Sequence, residues 1–365
     1  MENLVKMDYT DIFTKTYKGK KVFLTGHTGF KGSWMLAWLH QLGATVKGYA
    51  LKPDYENSIY ELIEGDGLCN SVIADIRDEE RLKKEILDFQ PDFIFHLAAQ
   101  PLVRRSYNEP AYTFSVNVMG TSNVLEAVRS LTGFCAVIII TTDKVYENIE
   151  QHYHYKETDR LGGYDPYSAS KACAEIVTGS YRNSFFNSRY FDEHKKTIAS
   201  ARAGNVIGGG DRSDHRIIPD IIKGIENDET IIIRNPLSVR PWQFVLEPIA
   251  GYLLLGARLY SEPTRYGEAW NFGPYNDDVL TVKEVVEKAL NVWGNGNYST
   301  PALENQPHEA GLLKLDISKT IGQLGWKPKL HSMDAIEQTM NWYKKVTREN
   351  ASAYTFDQIN FYQQL

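Results

Sequence analysis

The 365-residue sequence predicts an α/β protein with a doubly wound parallel sheet and a smaller second domain. From Lys21 onward, short apolar runs alternate with segments of helical periodicity. The apolar runs are continuous, which indicates strands that are buried on both faces. The helical segments between them are long enough for the crossovers that parallel strands require.

The predicted elements follow one another in this alternating order along the first half of the chain. The strands are Val22 to Thr25, Thr45 to Tyr49, Ser71 to Ala74, Phe93 to His96 and Ala136 to Ile140. The helices are Phe30 to Leu42, Asp78 to Leu87, Ala111 to Ser130 and Pro166 to Tyr181. After about Ala201, Gly-rich and Pro-punctuated segments interrupt the pattern, and the later helices show no complete βαβ rhythm.

We therefore predict two interleaved domains. Residues 1–200 and about 240–272 form the sheet domain, and residues about 201–239 and 273–365 form the smaller one. The smaller domain is expected over the carboxyl edge of the sheet. Residues 1 to about 18 are expected to be a surface extension.

Composition narrows the possible partners. A net charge of −6 and a pI of about 5.9 argue against nucleic acid, which is normally bound by clustered Lys and Arg. Cys69, Cys135 and Cys173 lack the close spacing of a metal site, so we expect reduced thiols and no metal. No apolar run is long enough for a signal peptide or a membrane span, so a cytoplasmic enzyme is expected.

The segment TGHTGFKG places Gly26, Gly29 and Gly32 after a buried strand and at the start of a helix. Bare backbone amides and the helix dipole can hold a pyrophosphate there. The simpler alternative is a tight turn without a ligand. The spacing GxxGxxG resembles the extended short-chain dehydrogenase/reductase family, which implies an NAD-binding Rossmann fold and adds Phe30 to the cofactor site.

The second predicted strand lacks the acidic residue that usually binds the cofactor ribose, because Ala50 and Leu51 stand at its end. No Arg replaces the acid and Lys52 is the nearest basic residue, so NAD is favoured over NADP. Asp75 and Ile76 resemble the adenine-contacting pair of the family. Asp75 could instead cap the following helix.

Small residues follow the fourth predicted strand in the segment HLAAQ. This segment resembles the family's stretch beside the cofactor, which implies contacts from Leu97, Ala98 and Ala99. We interpret the neighbouring His96 as a core residue and not as a catalyst.

The segment YSASK sets Tyr167 and Lys171 four residues apart at the start of a helix, so both project from one face. A phenol acting as a base at neutral pH needs its pKa lowered by about three units, or roughly 4 kcal/mol. A cation about 4 Å away at an effective dielectric of 20 supplies about that much. Lys171 and the nicotinamide charge are sufficient in principle.

The fifth predicted strand ends in TTDKVYE, which gathers Thr142, Asp143 and Lys144 at the sheet edge where ligands bind. A solvated surface turn is the alternative. A plain dehydrogenase does not need this additional acid and amine.

The order and spacing of these motifs, with RPWQFVLEP near residue 245, resemble the CDP-glucose 4,6-dehydratases over about residues 20–345. Related dTDP-glucose enzymes carry Asp-Glu where this chain has Asp143 and Lys144. The resemblance implies that Tyr167 removes the sugar 4-hydroxyl proton, Thr142 contacts the 4-oxygen, Asp143 protonates the leaving hydroxyl, and Lys144 serves as the carbon 5 base or its partner. It also implies a homodimer or larger homo-oligomer. The implied substrate-binding residues are Gln100, Arg104, Asn205, Arg234 and Arg240.

Other interpretations stay open at this point. Arg234 and Arg240 could form surface salt bridges instead of contacting a pyrophosphate. A nucleotide-sugar 4-epimerase would share Tyr167, Lys171 and the glycines without needing the Asp143–Lys144 pair. A non-catalytic cofactor sensor should lack Tyr167 or Lys171, and both are present.

Overall fold

The computed structural model describes residues 9–301 and 313–365 of the chain. The strands are β1 (Lys21–Thr25), β2 (Thr45–Ala50), β3 (Asn70–Ile73), β4 (Phe93–His96), β5 (Cys135–Thr142), β6 (His154–Tyr155), β7 (Lys196–Ala203), β8 (Asn205–Ile207), β9 (Ile231–Ile232), β10 (Val239–Arg240), β11 (Trp242–Phe244), β12 (Ala269–Phe272), β13 (Leu280–Thr281), β14 (Tyr298–Ser299) and β15 (Lys314–Leu315). The helices are α1 (Tyr9–Tyr17), α2 (Phe30–Gln41), α3 (Ile59–Leu62), α4 (Glu79–Phe89), α5 (Val103–Asn108), α6 (Pro110–Phe114), α7 (Gly120–Arg129), α8 (Pro166–Ser184), α9 (Phe191–His194), α10 (Ile217–Glu226), α11 (Leu246–Ser261), α12 (Val282–Trp293), α13 (Ser332–Lys345) and α14 (Ala351–Gln364). Short 3₁₀ or π segments lie between some of them, including Ser115–Met119 between α6 and α7.

The central sheet has seven parallel strands in the order β12-β7-β5-β4-β1-β2-β3. This confirms the predicted doubly wound parallel fold. Strands β5 and β7 are buried at every position, which explains the continuous apolar run of β5, whereas β7 also buries the charged side chains of Lys196 and Arg202. The strand order reverses next to β1, and a crevice at the carboxyl ends of β1 and β4 is where such sheets bind ligands.

Helix α2 is apolar on all sides because it is covered on all sides. Its residues from Gly32 to Leu39 are buried between the sheet, α11 and α14. Trp38 packs edge-on against Tyr362 of α14, with ring centroids 5.8 Å apart. The rigid packing of α2 fixes the glycine turn that precedes it.

The expected surface extension at the N-terminus is wrong for residues 9–17, which form α1. Tyr9, Phe13 and Tyr17 are spaced four residues apart and form one buried stripe that packs on α11. The Tyr17 hydroxyl donates to the Leu253 carbonyl at 2.6 Å. The remainder of the expected extension, residues 1–8, lies outside the described residues.

The later part of the chain folds back onto the sheet in several places. Strand β12 becomes the outer neighbour of β7, and β15 pairs with β6. Helix α14 packs against α2, although its residues belong to the predicted smaller domain. The division into two domains stays a prediction. Among the described residues, no helix is long and apolar enough to cross a membrane.

Candidate active site

A cleft of about 1340 Å³ opens at the carboxyl edge of the sheet. It runs from the glycine turn after β1, past the end of β5, to the segments around β8, β9 and β10. The predicted site residues that line this cleft are Gly26, Gly29, Phe30, Gly32, Asp75, Ile76, Leu97, Ala98, Ala99, Arg104, Thr142, Asp143, Lys144, Tyr167, Lys171, Asn205, Arg234 and Arg240. The fold thus brings together residues that are more than 200 positions apart.

Gln100 is the predicted site residue that does not line the cleft. Its side-chain amide donates to Thr113 Oγ1 at 2.9 Å and to the Leu102 carbonyl at 3.2 Å, and its Oε1 accepts from the Leu102 N–H at 2.7 Å. Its backbone N–H donates to Asn117. These contacts support a structural role in the turn after β4 and not the predicted substrate contact.

The glycine turn is shaped for a close ligand. Gly26 has φ +75°, and a Cβ there would lie 2.7 Å from the Ala98 nitrogen. A Cβ on Gly32 would overlap the Gly26 carbonyl. Helix α2 begins after Gly29 with no side-chain hydrogen bond to its first turn, so those N–H groups face the cleft uncapped. The turn therefore fits the pyrophosphate of a dinucleotide such as NAD.

At the predicted adenosine end of the cleft, the one predicted acidic residue, Asp75, is already paired with an arginine. Asp75 does not cap α4, because the Asp78 carboxylate does so by accepting the Arg81 N–H at 3.1 Å. The Asp75 carboxylate instead pairs with Arg77 at 2.6 Å, and the hydrogen bonds from Arg77 lower the pKa of Asp75. Leu51 also lines the cleft and is 47% exposed there.

His96, which stands just before the small-residue segment, is buried in the core. Its ring nitrogens contact Thr25 Oγ1 at 2.8 Å and Thr121 Oγ1 at 3.1 Å. Burial, reinforced by the charge of Lys171, lowers the pKa of His96 to about 3. This agrees with the interpretation of His96 as a neutral core residue.

Helix α8 presents Tyr167 and Lys171 to the cleft from its first two turns. The Asp165 carboxylate caps the helix by accepting the Ser168 N–H at 2.9 Å, which fixes the first turn. The Lys171 ammonium donates to the Ile140 carbonyl of β5 at 3.0 Å. The side chain of Lys171 is thus tied to the edge of the sheet that carries Thr142.

The protein's own groups do not make Tyr167 a base at neutral pH. Burial raises the pKa of Tyr167 to about 12, although the Thr142 hydroxyl and Arg216 act to lower it. Burial lowers the pKa of Lys171 to about 8, and the Glu175 carboxylate opposes that fall. The raised pKa of Tyr167 agrees with the expectation that the nicotinamide charge is needed in addition to Lys171.

Thr142, Asp143 and Lys144 form a tight polar cluster at the end of β5. Asp143 is 2% exposed, and its carboxylate accepts the Thr142 hydroxyl at 2.8 Å. The Lys144 ammonium lies 3.8 Å from Asp143 Oδ1. A buried carboxylate at this position is not a solvated surface turn, which was the alternative interpretation of the segment.

The far end of the cleft carries the predicted contacts for the nucleotide. Asn205 belongs to β8, which pairs with β11, and Arg240 belongs to β10, which pairs with β13. Arg234 lies 3.6 Å from Asp220 across this end. Cationic side chains at the opening of a cleft favour an anionic ligand.

Lys31 and Arg216 are among the cleft-lining cations that sequence reasoning missed. Burial, together with the charges of Arg216 and Lys171, lowers the pKa of Lys31 to about 7. Arg216 donates to Asp211 at 2.9 Å and acts electrostatically on Tyr167. A lysine within the otherwise apolar start of α2 was an available signal, whereas Arg216 carried none.

The fold agrees with comparisons to known proteins. The profile of the family described as GDP-mannose 4,6 dehydratase matches residues 23–339. The CDP-glucose 4,6-dehydratase of Salmonella typhimurium strain LT2 is 49% identical over 328 residues, which cover 90% of this chain and 91% of that protein. The dTDP-glucose 4,6-dehydratase of Streptomyces antibioticus is 26% identical over 332 residues, covering 88% and 92%.

Two solved structures share the fold. DesIV, the dTDP-glucose 4,6-dehydratase of Streptomyces venezuelae with NAD and TYD bound, has a TM-score of 0.76 at 23% identity and covers 89% of this chain and 97% of that one. The UDP-glucose 4-epimerase of Thermotoga maritima has a TM-score of 0.73 at 21% identity, covering 89% and 99%. The same fold therefore carries both dehydratases and epimerases, so the fold does not distinguish these two activities.

Proposed function

The chain belongs to the family described as GDP-mannose 4,6 dehydratase, and from this premise we propose that it is an NAD-dependent CDP-glucose 4,6-dehydratase. It converts CDP-D-glucose into CDP-4-keto-6-deoxy-D-glucose and water. The observation that carries the proposal is the buried Asp143 carboxylate and its partner Lys144 in the same cleft as Tyr167. The 49% identity to the Salmonella CDP-glucose enzyme supports the choice of sugar nucleotide.

NAD would be held by the glycine turn, where the uncapped first turn of α2 offers its N–H groups to a pyrophosphate. Asp75, Ile76 and the small-residue segment Leu97–Ala99, which line the same cleft, would border the rest of the cofactor. When bound, NAD supplies a temporary acceptor for the sugar's hydride, so the overall reaction involves no net oxidation.

Tyr167 carries out the first proton transfer. Its phenolate accepts the proton of the sugar 4-hydroxyl while the sugar is oxidised to a 4-ketone. Lys171, fixed by its hydrogen bond to Ile140, stabilises the phenolate by charge. Thr142 lies close enough to Tyr167 to influence its pKa, which supports its predicted contact with the sugar 4-oxygen.

Asp143 and Lys144 carry out the elimination. The new ketone acidifies the proton at carbon 5, and Lys144 removes that proton or assists electrostatically. Asp143, protonated for this step, gives its proton to the hydroxyl that leaves carbon 6 as water, and it is reprotonated from solvent after Tyr167 has returned its own proton to solvent. The double bond formed between carbons 5 and 6 is then reduced at carbon 6 by the hydride taken from carbon 4, and carbon 5 regains a proton.

The nucleotide diphosphate binds toward Asn205, Arg234 and Arg240, and Arg104 lines the same cleft. Guanidinium groups suit phosphate because they form paired hydrogen bonds with its oxygens. The preference for cytosine rests on the Salmonella relative.

The test is incubation of the purified chain and NAD with CDP-, dTDP-, UDP- and GDP-linked glucose or mannose. A dehydratase of CDP-glucose yields a 4-keto product with alkaline absorbance from CDP-glucose in preference to the others. Conversion of a sugar nucleotide to its 4-epimer without loss of water would establish the epimerase instead. Turnover of a different nucleotide would correct the base assignment alone.

We also propose a cytoplasmic homodimer or larger homo-oligomer. Ile176 on α8 is 59% exposed and Met119 next to α7 is 54% exposed, so neighbouring helices present apolar side chains to solvent. Light scattering on the purified chain tests the oligomeric state.

A further inference from the structure

Glu175 is a buried carboxylate that none of the roles described above uses. It lies one helical turn after Lys171 on α8, is 5% exposed, and sits behind the cleft instead of lining it. Its Oε1 accepts the Thr141 hydroxyl at 2.6 Å, and its Oε2 accepts the Ser200 hydroxyl at 2.7 Å. A carboxylate this deeply buried and this fully bonded has a defined charge and position.

The partner of Glu175 is Arg202 of β7, whose side chain is also buried. One Arg202 nitrogen donates to Glu175 Oε2 at 2.9 Å. The second terminal nitrogen of Arg202 donates to the Tyr146 hydroxyl at 2.8 Å and to the Glu157 carbonyl at 3.0 Å. Hydrogen bonds from Arg202, Thr141 and Ser200, together with the Arg202 charge, lower the pKa of Glu175 below its usual range despite burial. Glu175 is therefore an anion at every working pH.

We propose that Glu175, held in place by Arg202, is a positioning residue that keeps Lys171 in its ammonium form beside Tyr167. The inference rests on the proposed function, because it assigns Glu175 to the oxidation step of that reaction. Glu175 touches neither the substrate nor the cofactor and acts through Lys171.

The surroundings of Lys171 explain why it needs this anion. The charge of Lys171 acts to lower the pKa of Lys31 on α2, and burial keeps His96 on β4 neutral, so neither supplies a negative charge. The Ile140 carbonyl of β5 accepts from Lys171 but carries no full charge. Tyr167 on the same helix and Asp143 at the end of β5 face the cleft side, and Arg202 lies beyond Glu175 on β7.

Burial lowers the pKa of Lys171 to about 8, and Glu175 acts against this fall. Without the carboxylate, burial would act unopposed. Lys171 would then lose its proton at lower pH, and a neutral Lys171 cannot stabilise the Tyr167 phenolate.

The alternative is that Glu175 only joins α8 to β5 and β7 through its hydrogen bonds. The two roles separate in a pair of variants. Glu175→Gln removes the charge and keeps the shape. Thr141→Val removes one hydrogen bond to Glu175 and keeps its charge, so it is the matched control.

The first measurement follows Lys171 directly and needs no substrate. The protein carries ¹³C at lysine Cε, and the Lys171 resonance is assigned by its loss in Lys171→Met. We expect Glu175→Gln to lower the titration midpoint of Lys171 by about 1–2 pH units, the effect of one charge about 6–8 Å away at an effective dielectric of 20. Thr141→Val should leave the midpoint unchanged. An unchanged midpoint in Glu175→Gln, or an equal shift in Thr141→Val, overturns the proposal.

The second measurement is single-turnover formation of NADH from CDP-glucose against pH. In Glu175→Gln, the alkaline limb of the pH–rate profile, where Lys171 loses its proton, should move to lower pH by the same amount. The rate of NADH formation at pH 8 should therefore fall about tenfold. A loss of thermal stability with an unmoved limb would identify a purely structural role. If the wild type does not act on CDP-glucose, the proposed function fails, whereas the lysine titration still decides the role of Glu175.

Glu175→Gln leaves Arg202 charged and unpaired, which can prevent folding. The double variant Glu175→Gln, Arg202→Met removes both charges of the pair. Because Glu175, and not Arg202, acts on the pKa of Lys171, the Lys171 midpoint should still fall, by less than in the single variant. A midpoint equal to that of wild type in the folded double variant contradicts the proposal.

Discussion

Replacing Asp143 by Asn should separate oxidation of the sugar from elimination of water. Asn has the same shape and can still accept the Thr142 hydroxyl that lies 2.8 Å away. It cannot donate an acidic proton to the leaving hydroxyl. We therefore expect elimination to slow while the oxidation at carbon 4 continues.

Two magnitudes are expected for Asp143→Asn, the slowing of elimination and the loss of folding stability. General acid catalysis contributes about 10²–10⁴-fold, or roughly 3–5 kcal/mol of barrier, so elimination should slow by that factor. The charge of Asp143 raises the pKa of Tyr167, so its removal moves that pKa toward neutrality and does not hinder oxidation. The lost ion pair with Lys144, whose side chain is 20% exposed, should cost about 1 kcal/mol of folding stability at most.

The assay is a single turnover with enzyme in excess, followed by NADH absorbance. Reduced cofactor should accumulate in Asp143→Asn and decay slowly, whereas wild type should show little. In heavy water, the variant should incorporate little deuterium at carbon 5. Glu147→Gln is the matched control, because it makes the same chemical change in a cleft-lining residue that has no assigned role and should behave as wild type.

The double variant Asp143→Asn, Lys144→Met extends the test to both members of the pair. It should still form NADH, because Tyr167 and Lys171 are unchanged. If it binds CDP-glucose but forms no NADH, the pair is needed for positioning or oxidation and the division of roles is wrong. Product formation near the wild-type rate would remove the main support for a dehydratase over an epimerase.

Three further outcomes are expected. Tyr167→Phe should reduce NADH formation by more than tenfold while calorimetry finds nucleotide-sugar binding nearly unchanged, and turnover within tenfold of wild type would reject the assignment. Wild type should lose NAD on dialysis, and full retention of NAD would count against this expectation. Leu51→Asp should bind NAD more tightly, because it places an acceptor for the ribose hydroxyls at an exposed position. Burial raises the pKa of Glu247 to about 7 although it accepts the N–H groups of Lys329 and Leu330, so wild-type stability should fall as pH rises from about 4.3 to 7. In urea unfolding, the free energy of unfolding should differ less between pH 5 and pH 8 in Glu247→Gln than in wild type. An equal difference in both proteins would contradict this prediction.

Local patterns were sufficient for most of the sheet. Each of the five predicted strands corresponds to a strand of the structure, and the helix beginning at Phe30 ends within one residue of its predicted end. Burial on both faces leaves a continuous apolar run in the sequence, which can be recognised without a partner strand. The N-terminal helix was missed because its buried stripe consists largely of tyrosines, which occur equally well on a surface.

Part of the site is equally local. The glycine turn lies within a single strand-to-helix connection. Tyr167 and Lys171 lie on one face of a single helix. Their geometry therefore follows from the backbone period alone. Asp143 and Lys144 were recognisable because the end of a buried parallel strand is a known position for ligands.

Only the tertiary structure decided which charges surround these groups. Lys31, Arg216 and Arg202 come from α2, the start of α10 and β7, and no sequence spacing relates them to Lys171. Burial, which raises the pKa of Tyr167 and lowers that of Lys171, exists only after these segments pack over the sheet edge. The sequence by itself determined the glycine turn, the Tyr167–Lys171 pair and the Asp143–Lys144 pair of the site. Packing determined their protonation, because electrostatic energy depends on distance and on exclusion of water, and distant segments acquire both only on folding.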